Sequence, residues 1–144
     1  LRLQGDSYRV LSDLLAMLKA KADAGFKAKA AARVAKLAGE GAARREAAAK
    51  LAAIRGTPGQ INPHYLCAEL AKALRPNDIV LNEAIRNGPT VFAQMPRTEP
   101  GTLVGLAGGG LGFSGGMALG LKLAQPERTV VQIVGVPRPP PRAV

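Results

Sequence analysis

The sequence predicts an α/β fold with an incomplete parallel sheet, preceded by helices, on three observations. Short apolar runs alternate with helical patterns from Gln60 onward. One run, Thr129-Val-Val-Gln-Ile-Val134, is almost free of polar residues, which is typical of a central parallel strand. Seven of the thirteen residues from Gly108 to Gly120 are glycine, and that stretch opens into a helical pattern. A glycine loop at a helix N-terminus lets backbone N–H groups approach an anionic ligand with no Cβ in the way.

Taken in order, residues 7–22 read as an amphipathic helix. Val10, Leu11, Leu14, Leu15 and Leu18 recur at three- and four-residue spacing, and Asp6 or Ser7 can cap the start. Residues 26–54 are rich in Ala, Lys, Arg and Glu, all strong helix formers. Their large apolar residues are few, so the helix buries little, and Gly39 and Gly41 are expected to interrupt it. Gly56-Thr-Pro-Gly59 reads as a linker. Asn62 then caps a helix whose first position is Pro63. Leu66, Leu70, Ala73 and Leu74 give that helix an apolar face. Arg75-Pro-Asn-Asp78 is a turn, and Ile79-Val-Leu81 is a short buried strand leading to Asn82 and Glu83. Residues 88–96 read as irregular or weakly helical. Thr102 to Leu106 is a second short strand or an extended approach to the glycine loop, residues 113–125 a helix, Pro126-Glu-Arg128 a turn and residues 129–134 a strand. This order suits right-handed crossovers, with ligands beyond the carboxyl ends of the strands: Asn82-Glu83, the glycine loop and Gly135. After Gly135 the prolines from Pro137 to Pro141 exclude a helix or central strand. A disordered or polyproline-like tail is expected there.

Composition narrows the function classes. Aromatic residues make up 3% of the 144 and Trp is absent, so few large side chains can fill a core. Residues 1–56 carry twelve Lys/Arg against five Asp/Glu, a net +7 of the chain's +10. Such a surplus suits nucleic acid or an anionic surface, although a solvated helix face is the commoner cause. The single cysteine, Cys67, excludes an intrachain disulfide, and its place suggests a buried helix position. With one histidine, His64, a His-based metal site is not available. No apolar run reaches the roughly 18 residues that cross a bilayer. No membrane partner is expected. A cytoplasmic location is expected, with organellar import left open by a start at Leu1.

Gly110-Leu-Gly-Phe-Ser-Gly115 matches the literal G-x-G-x-x-G pattern. A dinucleotide site also needs an acidic residue about 20 positions on, and that place falls near Gly135 and Val136. A plainer reading is that these glycines allow tight helix–strand packing. Glu83, after an apolar strand, is either functional or a solvent-facing strand end. Asn82, Arg86 and Asn87 beside it supply donors suited to phosphate oxygens.

Together, residues 60–135 resemble the C-terminal cofactor-binding domain of thiamine diphosphate-dependent enzymes, closest to the benzoylformate decarboxylase and acetolactate synthase group. Val80-Leu-Asn-Glu-Ala84 looks like the strand whose end carries a cofactor-contacting turn. Gly109-Gly-Leu-Gly-Phe113 looks like the family's glycine motif. Ala124 to Gly135 looks like the strand leading into its metal motif. The resemblance implies an incomplete parallel-sheet thiamine diphosphate-binding domain at 60–135. It makes residues 1–22 the end of a middle domain, 23–59 a basic connection and 136–144 a tail. It implies cofactor contacts at Glu83, Ile85, Arg86, Asn87, Gly109, Gly110, Leu111 and Gly112. Leu111 would prop the bent cofactor, the Gly109 carbonyl would accept from its aminopyrimidine, and Ile85 to Asn87 would touch the diphosphate. The parent family uses thiamine diphosphate with Mg²⁺, acts on 2-oxo acids and forms homo-oligomers. It continues past Val-Gly with an Asp-Gly pair and later an Asn, both of which hold the metal. Here Val136-Pro137 follows Gly135. The sequence therefore reads as a fragment of a decarboxylase or carboligase, inactive alone. A reading from another class is a non-enzymatic basic helical protein that uses residues 26–55 to hold nucleic acid or an acidic partner. Nucleic acid is the less expected partner, because no aromatic platform accompanies the basic residues.

Overall fold

The computed structural model describes residues 4–105 and 110–135. The expected proline-rich tail at 136–144 lies outside the described residues. The chain divides into two units, Leu1–Arg44 and Arg45–Val144.

The first unit is helical, and the second of its helices runs on past Arg44 to Ala52 in the second unit. Helix α1 spans Ser7–Lys21, and Asp6 caps it by accepting from the Arg9 N–H at 2.9 Å. Helix α2 spans Ala24–Ala52, and its start is fixed by Asp23, whose carboxylate accepts from the Phe26 N–H at 2.6 Å. The expected interruption at Gly39 and Gly41 does not occur. Each glycine costs a helix about 1 kcal/mol relative to alanine, and the surrounding alanine-rich turns carry the helix through both. Neither α1 nor α2 contains a buried residue.

The second unit holds the sheet. Gly56–Gly59 is a tight hairpin turn rather than a linker. Strand β1 (Gly56–Thr57) pairs antiparallel with β2 (Gln60–Ile61). Pro58 and Gly59 are the central pair, and the φ of +79° at Gly59 is what a type II turn places second. Gly56, at φ +106°, is also obligatory, since a Cβ there would lie 2.3 Å from the Gln60 carbonyl oxygen.

Helix α3 (Pro63–Ala73) starts as expected. The Asn62 side chain accepts from the His64 N–H at 2.9 Å and donates to the Leu51 carbonyl at 3.0 Å. Strand β3 (Ile79–Glu83) is buried throughout. It continues two residues past the expected apolar run, because Asn82 and Glu83 both find buried partners. Residues 88–94 form a definite short helix, α4 (Gly88–Gln94), with Pro89 in its first turn. Strand β4 (Leu103–Gly105), helix α5 (Phe113–Ala124) and strand β5 (Val130–Val134) complete the fold.

The sheet is parallel, in the order β4-β3-β5. This corrects one expectation. The central strand is β3, and the apolar run at 130–134 is half-exposed, with no strand beyond it among the described residues. An apolar run shows that a strand can be buried on both faces, but only its neighbours decide which strand is central. The core gathers Cys67 of α3, Val80 and Ala84 around β3, and Val91 and Met95 around α4, with Leu70, Leu74 and Ile133 packed against it.

The amino-terminal edge of the sheet is held by a polar clamp. Buried Asp78 accepts from the Arg75 backbone N–H at 2.8 Å, the Arg75 guanidinium at 2.9 Å and the Thr129 N–H at 2.9 Å. Arg75 also reaches the Glu127 carbonyl at 2.9 Å. The two turns that precede β3 and β5 are thereby tied together. From another side, Nη2 of Arg97 donates to the carbonyls of Arg75, Pro76 and Asp78 at 2.6–2.7 Å. The Arg75 guanidinium, with the backbone donors, holds the Asp78 carboxyl far below the usual carboxylate range despite burial. Among the described residues, no helix is long and apolar enough to cross a membrane.

Candidate functional site

The carboxyl end of β3 brings the chemistry-bearing residues together. Asn82 is buried there, and its side chain shapes the next turn. The carbonyl oxygen accepts from the Ala84 N–H at 3.1 Å, and the amide nitrogen donates to the Gly88 carbonyl at 3.4 Å. The chain therefore bends out at Ala84, exposes Ile85, Arg86 and Asn87, and re-enters as α4.

Glu83 settles the choice that its position left open. It is buried, and its carboxylate reaches the start of α5. One oxygen accepts from the Gly112 N–H, and the other accepts from the Ser114 N–H at 3.0 Å and from the Ser114 hydroxyl. Gln132 of β5 donates to that hydroxyl oxygen at 2.7 Å, so a continuous relay runs from Gln132 through Ser114 to Glu83. The Ser114 hydroxyl and the two backbone N–H groups, in that order, pull the Glu83 carboxyl below its ordinary range, while burial opposes them. The N-cap, Gly112, has φ +86° and no side chain to offer. Glu83 therefore does from a neighbouring strand what a capping side chain does locally.

This alters the expectation for the glycine loop. The N–H groups of Gly112 and Ser114 already face a carboxylate of the same chain, so they are not free for an external anion. Gly110, Leu111 and Gly112 are exposed, with Leu111 at 73%. A Cβ on Gly110 would meet no atom of the described residues within 4 Å, while Gly112 requires glycine for its positive φ. Gly109 lies outside the described residues.

Two clefts flank the 84–87 turn. One, of about 480 Å³, is bounded by Asn82, Glu83, Pro89, Phe92 and Gly105 at the ends of β3 and β4. The other, of about 520 Å³, lies between the ends of β3 and β5, with Cys67, Arg86, Asn87, Ile133 and Gly135 on its wall. Both occupy the place where open α/β sheets bind ligands, outside the carboxyl ends of the strands. Asn87 begins α4 without using its side chain as a cap. It stands beside exposed Arg86, so the second cleft has two donors suited to an anion. No family model matches this chain. No solved structure matches it either.

The family resemblance implies a magnesium ion, and among the described residues no cluster of acidic side chains is placed to hold one. Mg²⁺ needs hard oxygen ligands in near-octahedral geometry. No cluster of three or more His, Cys, Asp or Glu among the described residues could hold a metal. Residues 136–144 contain no Asp, Glu or Asn. Glu83 faces β3's end, but its oxygens are taken by α5. Cys67 is buried in α3 as expected, and burial pushes its thiol pKa up, away from the reactive thiolate. Two partners escaped the sequence reading, Ser114 and Gln132. A serine in the first turn of a glycine-rich helix was the local signal for Ser114, whereas nothing local marks Gln132.

Proposed function

We propose that residues 60–135 form the cofactor-contacting part of a thiamine diphosphate-dependent 2-oxo acid decarboxylase or carboligase, and that these 144 residues alone are inactive. One observation carries this reading. Glu83 ties the Gly110–Gly112 loop to the end of β3, within a few residues of Ile85, Arg86 and Asn87. The two segments that the family resemblance assigns to the cofactor therefore meet at one strand end of a parallel sheet. The adjoining clefts support the same reading.

When bound, thiamine diphosphate supplies a carbanion nucleophile and an electron sink for a 2-oxo acid. The chain's own residues divide the remaining work. Gly110 and Leu111 offer an exposed backbone and one apolar side chain. Arg86 and Asn87 offer donors to an anionic group. Glu83 and Ser114 hold the loop against the sheet. Because Glu83 occupies the N–H groups of Gly112 and Ser114, a diphosphate belongs on the Arg86–Asn87 side of the site. With no acidic cluster beside it among the described residues, that group is held weakly.

Titrating the labelled chain with thiamine diphosphate and following its amide resonances tests this. The expected result is a weak response at Asn87 and Gly110–Gly112, unchanged by added Mg²⁺, with no turnover of pyruvate or benzoylformate. No response at those residues at millimolar cofactor would sink the cofactor reading. Measurable turnover would overturn the claim of inactivity.

A further inference from the structure

The first unit carries a surface that the proposed chemistry leaves unused. In α1 the leucines at 11, 14, 15 and 18 are each between 46% and 64% exposed, and the helix contains no buried residue. At 3.6 residues per turn they form one apolar arc, with Arg9, Ser12 and Asp13 on the opposite side. The last turn adds Lys19 and Lys21. In the first half of α2, exposed Phe26, Val34 and Leu37 share a narrower stripe. By helix spacing, Lys29, Arg33 and Lys36 border that stripe on one flank and Lys27 on the other. Apolar stripes edged by long cationic side chains match the two layers of an anionic lipid interface. Leucine and phenylalanine enter the acyl boundary, while lysine and arginine reach the headgroups.

We propose that α1 and the first half of α2 lie in the plane of an anionic lipid surface. Charge selects this occupant: residues 6–38 carry seven basic residues against three acidic ones. A nucleic acid would answer the charge but leave the leucine arc uncovered, and Tyr8 and Phe26 are too few aromatic side chains to make a stacking platform for its bases. A neutral protein partner would answer the arc but not the cationic border. The lack of a spanning helix bears on crossing a bilayer and not on lying in its interface.

Flotation of the full 144-residue chain with vesicles tests the proposal, using phosphatidylcholine alone and phosphatidylcholine mixed with phosphatidylserine. The chain should float with the anionic vesicles at least roughly tenfold more strongly than with the neutral ones and release as salt rises. A Leu14→Glu, Leu18→Glu variant should lose at least about tenfold in vesicle affinity. Its helix content by circular dichroism should stay unchanged, because neither side chain is buried. Failure to float with anionic vesicles overturns the proposal, and so does flotation that the double variant retains. Binding of duplex DNA that the double variant keeps, with no vesicle binding, replaces it with nucleic acid. A dimer that the double variant dissolves, again without vesicle binding, replaces it with a second copy of the chain.

Discussion

Glu83 at the end of β3 accepts hydrogen bonds from the backbone N–H and the hydroxyl of Ser114, 31 residues further along, at the start of α5. The pair fixes the helix that follows the glycine loop to the central strand, and it converts an open helix N-terminus into a closed internal contact. Glu83→Gln should destabilise the second unit, because the amide turns one acceptor into a donor facing N–H groups. Ser114→Ala should destabilise it less, since two backbone donors remain. In urea unfolding the double variant should be less destabilised than the sum of the singles, the mark of a shared contact. Additive effects would show that the two residues act independently.

Acid should weaken the fold through two carboxylates. Asp78 and Glu83 both have folded pKa values below their ordinary 3.8 and 4.5. A depressed folded value means that the unfolded chain takes up protons first as pH falls. Their contribution is therefore fully present above about pH 5 and is lost progressively as pH falls below the ordinary values toward the folded ones. Urea midpoints measured at pH 7, 5, 4 and 3 should be flat over the first step and then fall. Asp78→Asn should be less stable at pH 7 yet show a shallower acid decline. An unaltered slope in that variant would remove Asp78 as a cause.

Asn62→Ala should cost about 1 kcal/mol, the usual loss for an N-cap, because it removes both the acceptor for the His64 N–H and the donor to the Leu51 carbonyl. Gly56→Ala should cost about 1–3 kcal/mol, since φ +106° and the Gln60 carbonyl leave no room for Cβ. Chemical denaturation of each variant measures these losses directly.

Gly39→Ala should act in the opposite direction. The glycine lies inside the continuous α2, and an added Cβ meets no atom within 4 Å. A gain of about 0.5–1 kcal/mol in helix stability is expected, seen as higher ellipticity at 222 nm or a later helix melt. A loss would mean that α2 bends or breaks at that residue in solution.

Cys67 should react slowly with a disulfide reagent at pH 7 while the chain is folded, and at the rate of a free thiol in denaturant. Burial both shields the sulfur and raises its pKa. Rapid labelling of the folded chain would show that α3 opens easily.

Much of this protein is written locally. Asp6 and Asn62 cap helices because their short oxygens reach N–H groups two or three residues away. Pro63 begins a helix because its missing N–H is not needed there. The apolar run at 79–81 is a buried strand because its side chains have no stable place in water. Those contacts lie within a few residues, so the sequence by itself determined helices α1, α3 and α5, strands β3, β4 and β5, and their α/β order, but not the β1–β2 hairpin or the definite helix α4. Longer contacts decided the rest. Whether Gly39 and Gly41 break a helix depends on the sum of propensities across all of α2. Whether the run at 130–134 is central or an edge depends on which strands pair, and β3 took both neighbours. The role of Glu83 needed a helix whose N-terminus the fold brings to the end of β3, with Gln132 from the adjacent strand completing the relay. A carboxylate at a strand end reads the same in sequence whether it faces solvent, ligand or helix. Only the tertiary structure distinguishes them, because hydrogen-bond partners and burial belong to the packed chain and not to the residue.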